Sequence, residues 1–197
     1  NADSAALVWL HALAIGYAPA YRSENADGLK DGFPRIPLPQ DTERLRASAA
    51  LGGQIAALLD MEAEIAGITS GDIRDDLRTV AILSAGGTPD LRVNAGWGHH
   101  SQGAVMPGRG RIAMHDERVD VYLNDTTWWR DIPIAVWNTT IGGYQVLKKW
   151  LSYREADILG RPLTPEEARE FMLIARRLAA LIALEAELDA NYRALTS

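Results

Sequence analysis

Signals for β structure are confined to the middle of the chain, and this confinement restricts the possible folds more than any other feature. Four short β-type runs, Thr79–Leu83, Leu91–Ala95, Ile112–Met114 and Val119–Leu123, are separated by glycine-rich clusters such as Gly86-Gly87-Thr88-Pro89-Asp90. Helical periodicity lies on both flanks. Strands that do not alternate with helices do not build a parallel βαβ sheet. The expected fold class is therefore α+β: a helical N-terminal part, a central, mostly antiparallel β-rich part with long loops, and C-terminal helices packed on it. With 197 residues, 47% of them hydrophobic, the chain is long enough to bury a core. The pattern divides it into a helical segment, 3–65, and a second domain, 66–197, or leaves one continuous domain, 3–197. Asn1-Ala2 has the look of a tag remnant, with the natural segment expected to begin near Asp3.

The flanks read as follows. A helix over Ala5–Ile15 is broken by Gly16 and Pro19, and a second runs from about Pro19 to Leu29. Three prolines within Pro34-Arg35-Ile36-Pro37-Leu38-Pro39 force an extended segment. Asp41 caps the next helix, whose apolar face uses Leu45, Ala49, Ile55, Leu58 and Leu59. Its Gly52-Gly53 pair weakens it or lets another backbone come close. Beyond a connection at 65–76 come the β runs. Ile112–Met114 and Val119–Leu123 are expected to pair across His115–Arg118. Ile132–Trp137 reads as a helical turn or an edge strand, and Tyr144–Glu155 as a helix. Thr164-Pro165-Glu166-Glu167 starts a last helix reaching about Leu184, with a bend before Leu188–Leu195.

Several chemistries find no support. There is no cysteine, hence no disulfide or thiolate zinc site. No apolar run approaches the ~20 residues of a membrane helix, no secretory signal is visible, and a cytoplasmic setting is expected. The chain has no Walker phosphate loop, no GxGxxG after a strand and no GxSxG elbow. It also lacks the Asn/Asp-Pro-Pro-aromatic run of an amino-methyltransferase. His99-His100 is the best metal candidate, but adjacent residues rarely reach one ion. His115-Asp116-Glu117 reads as a solvated turn, and Glu166, Glu167 and Glu170 as complements to a helix dipole.

Taken whole, the net charge of −6 speaks against a nucleic-acid binder, which usually shows a basic footprint, but the charge is unevenly spread: residues 97–161 net +1 and the remainder −7. Three features in that middle stretch suit DNA. The long, flexible glycine-rich segment 97–111 carries Trp97, His99, His100, Ser101, Gln102, Arg109 and Arg111, donors that reach phosphates and base edges. Gly142-Gly143-Tyr144-Gln145 leads into a helix with Lys148-Lys149, and a helix N-terminus there would favour a phosphate oxygen. Trp128-Trp129-Arg130, with Trp137 nearby, could stack on bases, although at least one of the adjacent tryptophans is expected in the core.

These residues carry a resemblance. Ala95–His99, Met106-Pro107-Gly108, Tyr122–Asp125, Ile141–Glu155 and Leu188–Tyr192 are similar to the C-terminal specificity region of type ISP restriction-modification enzymes, and Gly142–Glu155 is the most specific block. Those are large bacterial single-chain proteins that join nuclease, helicase-like ATPase, adenine-N6 methyltransferase and target-recognition parts. The resemblance implies a DNA target-recognition piece without chemistry of its own, with residues 3–65 linking it to an upstream methyltransferase part. It also implies double-stranded DNA and the upstream methyltransferase and helicase parts as partners. No cofactor is implied in this chain; S-adenosylmethionine, ATP and Mg would bind elsewhere in the parent. On this reading Trp97, His99, His100, Ser101, Gln102, Arg109, Arg111, Gly142, Gly143, Tyr144, Gln145, Lys148 and Lys149 contact DNA.

Two other readings stand beside it. In one, the N-terminal helices and the long C-terminal helix dock other proteins, with Leu173, Leu178, Leu181 and Ile182 in the interface. In the other, His99, His100 or His115 serves a small hydrolase, which requires these side chains to converge in one pocket.

Overall fold

A computed structural model describes residues 2–32 and 34–196; Asn1, half of the expected tag remnant, lies outside them. The chain divides into two compact units, one comprising residues 1–65 and 181–197, the other residues 66–180.

The first unit opens with helix α1 (Ala2–Tyr17), then α2 (Pro19–Glu24), α3 (Ala26–Lys30) and α4 (Thr42–Leu59). Asp41 caps α4 as its side chain predicts, its Oδ1 accepting from Arg44 N at 2.7 Å. Gly52 explains how closely α1 and α4 pack. A β-carbon there would overlap the carbonyl group of Leu10, so only glycine lets the two backbones approach. The proline segment 34–39, between α3 and α4, is neither helix nor strand. The buried His11 holds it in place. Pro37 O can only accept, so His11 Nε2 donates to it at 2.8 Å, while Nδ1 meets Ser48 Oγ at 2.7 Å.

The second unit begins with α5 (Asp75–Arg78) and β1 (Ile82–Ala85), followed by β2 (Gly98–Ser101), β3 (Ala104–Pro107), β4 (Ile112–His115), β5 (Arg118–Tyr122) and β6 (Thr127–Pro133). Then come α6 (Ile134–Trp137), β7 (Thr140–Ile141), β8 (Tyr144–Gln145), α7 (Val146–Ser152), α8 (Ala156–Leu159) and α9 (Pro165–Ala183), whose last residues belong to the first unit. Four strands form an antiparallel sheet in the order β1-β6-β5-β4, and β2-β3 and β7-β8 are separate hairpins. The fold is α+β.

The sheet's inner face carries Val119, Val121, Trp129 and Ile132, all fully buried. Trp129 stacks on Phe171 of α9 with ring centroids 3.9 Å apart and donates from Nε1 to Ala168 O. Thr164 and Glu167 form the expected capping box of α9: Glu167 N donates to Thr164 Oγ1, and Thr164 N to Glu167 Oε2. The Arg161 guanidinium, gripping both Glu167 oxygens, holds that carboxyl down at about 2.

The strands of this unit differ from those expected. Leu91–Ala95 is not a strand, because its backbone is shared among three partners. Asn94 N donates to Leu123 O, while Leu91 O and Val93 O accept from Leu163 N and Ala156 N. β6, in turn, was not expected as a strand. Its inward alternation is interrupted at Asp131, which has φ 61°, and the β5–β6 register shifts between Val119 and Val121. Trp128-Trp129-Arg130 is therefore strand, with Trp129 in the core and Trp128 stacked on Tyr122.

The first unit closes with α10 (Glu185–Thr196). Asp189 Oδ1 accepts from Ala20 N at 2.7 Å at the start of α2. Asn191 Nδ2 donates to Ser48 Oγ, and Tyr192 packs edge-on against Tyr21 and donates to Glu24. The polar residues of the block at 188–192 thus tie helices together.

Candidate nucleic-acid interface

Helix α7 is the platform of the candidate site, since β2, β3 and β8 all pack against it. Segment 97–111 is not the flexible loop its glycines suggested. Its first half is the β2–β3 hairpin, closed by Gln102 (φ 50°) and Gly103 (φ 79°), a two-residue turn with both central φ values positive. The other glycines serve packing. A β-carbon on Gly98 would overlap the Ser152 carbonyl, and one on Gly110 would overlap the Trp97 indole. His99, His100, Ser101 and Gln102 are exposed along and at the end of this hairpin.

Trp97 is the main correction to the candidate contacts. It is fully buried, lies edge-to-face with Trp137 at 5.5 Å and donates from Nε1 to Tyr122 O at 2.7 Å. No face of this indole is available to a base; the residue belongs to the core that seats the hairpin.

The helix end that was to hold a phosphate also differs. Gly142 (φ 60°) and Gly143 (φ 81°) form the turn of the β7–β8 hairpin and precede the helix. The helix starts at Val146, whose N–H already donates to Thr139 O, and Gln145, half-buried, donates from Nε2 to Trp137 O. The amino end of α7 is thus partly occupied by the chain itself. At the hairpin tip Gly142, Gly143 and Tyr144 are exposed, with Tyr144 56% accessible. The sequence pattern predicted one helix from 144 to 155; two strand residues and a shorter helix occupy that stretch.

The basic residues separate into two groups. Arg109 is exposed, with no hydrogen-bond or ion-pair partner among the described residues. Lys148 is half-buried, also without an ion pair among them. Lys149 sits 4.6 Å over the Tyr144 ring and 4.7 Å over the Tyr153 ring, so its charge stays at the β7–β8 hairpin, with no carboxylate paired to it among the described residues. Arg111, by contrast, pairs with Asp125 and lies 4.3 Å over Tyr122. Arg154 lies over Trp150 and pairs with Glu170.

Sequence reasoning missed Glu155 as a positioning residue. Its buried carboxylate accepts from Trp97 N at 2.6 Å and Gly96 N at 3.2 Å, and so fixes the root of the β2–β3 hairpin. Nothing local announces this, because the partners lie 58 and 59 residues apart. The histidines do not form a hydrolytic site. His99 and His100 are neighbours on one strand and point to opposite faces, whereas His115 pairs with Asp120 at 3.3 Å by the β4–β5 turn. Among the described residues no group of three or more His, Asp or Glu could hold a metal ion, and no helix is long and apolar enough to cross a membrane.

Against known families, the model described as the type ISP C-terminal specificity domain matches residues 8–171. No curated protein and no solved structure matches the chain.

Proposed function

The chain belongs to the type ISP C-terminal specificity domain family, target-recognition modules of type ISP enzymes, and from that premise we propose that it reads the DNA target sequence and carries no chemistry of its own. The parent would be a bacterial restriction-modification polypeptide with adenine-N6 methyltransferase, helicase and nuclease parts. One observation carries the reading: two exposed hairpins, tipped by Gln102-Gly103 and Gly142-Gly143, stand on a single helix, α7, with Arg109, Lys148 and Lys149 unpaired by acids among the described residues. The hairpins supply side chains for base edges, and the free cations supply phosphate contacts that set register. Arg111 is a weaker phosphate candidate than Arg109 because Asp125 already neutralises it. With −6 overall, the chain by itself binds DNA weakly, and the methyltransferase part completes the grip.

The test is a selection from a randomised duplex pool by the intact parent polypeptide, repeated with residues 97–111 exchanged for those of another family member. The selected sequence should change. If the same sequence is selected after the exchange, this segment does not read the target.

A further inference from the structure

The β2–β3 hairpin has two unlike faces, and they are distinguishable from its register. Gly98 pairs with Pro107, His99 with Met106, His100 with Val105 and Ser101 with Ala104. Residues directly opposite share a face, and neighbours along a strand alternate. Gly98 therefore shares a face with His100, Val105 and Pro107. The absent β-carbon of Gly98 points at Ser152 O and lies 3.0 Å from Ile158 Cδ1, so this face turns toward α7 and α8. Val105, on the same face, is half-buried. The opposite face holds His99, Ser101, Ala104 and Met106, every one exposed, and Met106 is 46% accessible despite being apolar.

We propose that this hairpin is a ribbon that enters the DNA major groove with its His99–Ser101–Met106 face against base edges and Gln102 at its leading end, while the His100–Val105 face stays turned to the protein, which removes His100 from the DNA contacts expected from residue type. The proposal rests on the target-recognition reading and adds which side chains determine the sequence. Strands of four residues span about 13 Å. A two-stranded ribbon fits the major groove, which is ~12 Å wide and ~8.5 Å deep. The side chains match what that groove presents. An imidazole N–H suits a purine N7, and a glutamine at the tip can bond the N6 and N7 of adenine together. A serine hydroxyl serves donor or acceptor, and a methionine thioether meets a thymine methyl. The turn fixes Gln102 at φ 50°, so its side chain starts from a set backbone position. Glu155, gripping Gly96 N and Trp97 N at the root, aims the ribbon.

The experiment compares three forms of the intact parent polypeptide in the same duplex selection: wild type, His99→Ala with Ser101→Ala, and His100→Ala. All three substituted residues are exposed, and matching thermal melts confirm folding. The double variant should lose preference at one or two base pairs, with the ratio of specific to non-specific affinity falling roughly 10- to 100-fold, as expected for lost base contacts. His100→Ala should stay within twofold of wild type. Replacing purines at the affected positions by their 7-deaza analogues should weaken wild type and leave the double variant unchanged. A selection altered by His100→Ala, or untouched by the double variant, overturns the face assignment while leaving target recognition intact. A wild-type polypeptide with no sequence preference overturns the target-recognition reading and this inference with it.

Discussion

Glu155→Gln is the substitution that most directly probes how the ribbon is held. The carboxylate is buried and accepts two backbone N–H bonds, from Trp97 at 2.6 Å and Gly96 at 3.2 Å. Glutamine has nearly the same shape but presents one carbonyl oxygen and one NH2 group, so one backbone N–H faces a donor. A hydrogen bond to a charged acceptor is worth about 1.5–3 kcal/mol, and leaving a buried donor unsatisfied costs about 1–3 kcal/mol. The expected loss is roughly 2–4 kcal/mol, since these figures overlap and one bond survives in weaker form. In urea, with a slope on the order of 2 kcal/mol per molar, the unfolding midpoint should fall by about 1–2 M. Equilibrium unfolding followed by tryptophan fluorescence reads this, since Trp97 and Trp129 are both fully buried. A second readout separates stability from positioning. At concentrations where the variant remains folded, the duplex selection should lose sharpness while the salt dependence of binding is unchanged. A midpoint within about 0.2 M of wild type, equivalent to about 0.4 kcal/mol on that slope, would refute the claim that this carboxylate fixes the hairpin root.

Further outcomes follow from other contacts. Lys148→Ala with Lys149→Ala should weaken binding of the intact parent polypeptide to all duplexes alike and make the slope of log affinity against log salt shallower by about 0.9 per lysine; an unchanged slope removes both from the phosphate contacts. Gly98→Ala should destabilise the second unit by several times more than Gly103→Ala in urea titrations. The first forces a β-carbon into the Ser152 carbonyl, whereas the second meets only open space at a left-handed φ. Asn124→Ala should cost about 2–4 kcal/mol by the same measurement, because the buried amide donates to Asp90 O and Arg92 O and accepts from Thr126 N and Thr127 N. For Glu167 the folded carboxyl sits at about 2, below its ordinary 4.5, chiefly through the hydrogen bonds from Arg161. Its contribution is therefore complete above pH 4.5 and lost as pH falls toward 2. Glu167→Gln should flatten the stability profile across that window and leave its upper limb parallel to wild type.

Elements whose determinants are local were readable from residue types alone. Asp41 and Thr164 announce α4 and α9 because a cap's partner lies three residues away. The pairing of β4 with β5 follows from the alternation in Val119–Leu123 and the polar turn His115–Arg118. What sequence could not reveal depends on distant partners. β6 escapes notice because the bulge at Asp131 breaks its period of two, and Leu91–Ala95 imitates a strand although no single neighbour pairs with it.

The glycines show the difference most sharply, and they decide how the candidate site is understood. As residue types, five glycines between 96 and 110 suggest mobility. In place, Gly98 and Gly110 are contact points for the Ser152 carbonyl and the Trp97 ring. Close packing at those points seats the base of the segment on the core, and a ribbon seated in advance would lose less conformational entropy on meeting a groove than a loose loop. Likewise, Gly142-Gly143 reads in the sequence as the lead into a helix, but its two positive φ values make a hairpin turn and move the exposed feature from a helix end to a hairpin tip. Both revisions act in the same direction. On the proposed reading, the side chains offered to bases project from two-stranded hairpins packed on one helix, so exchanging a tip residue should alter which sequence is chosen without disturbing the stability of the unit beneath it.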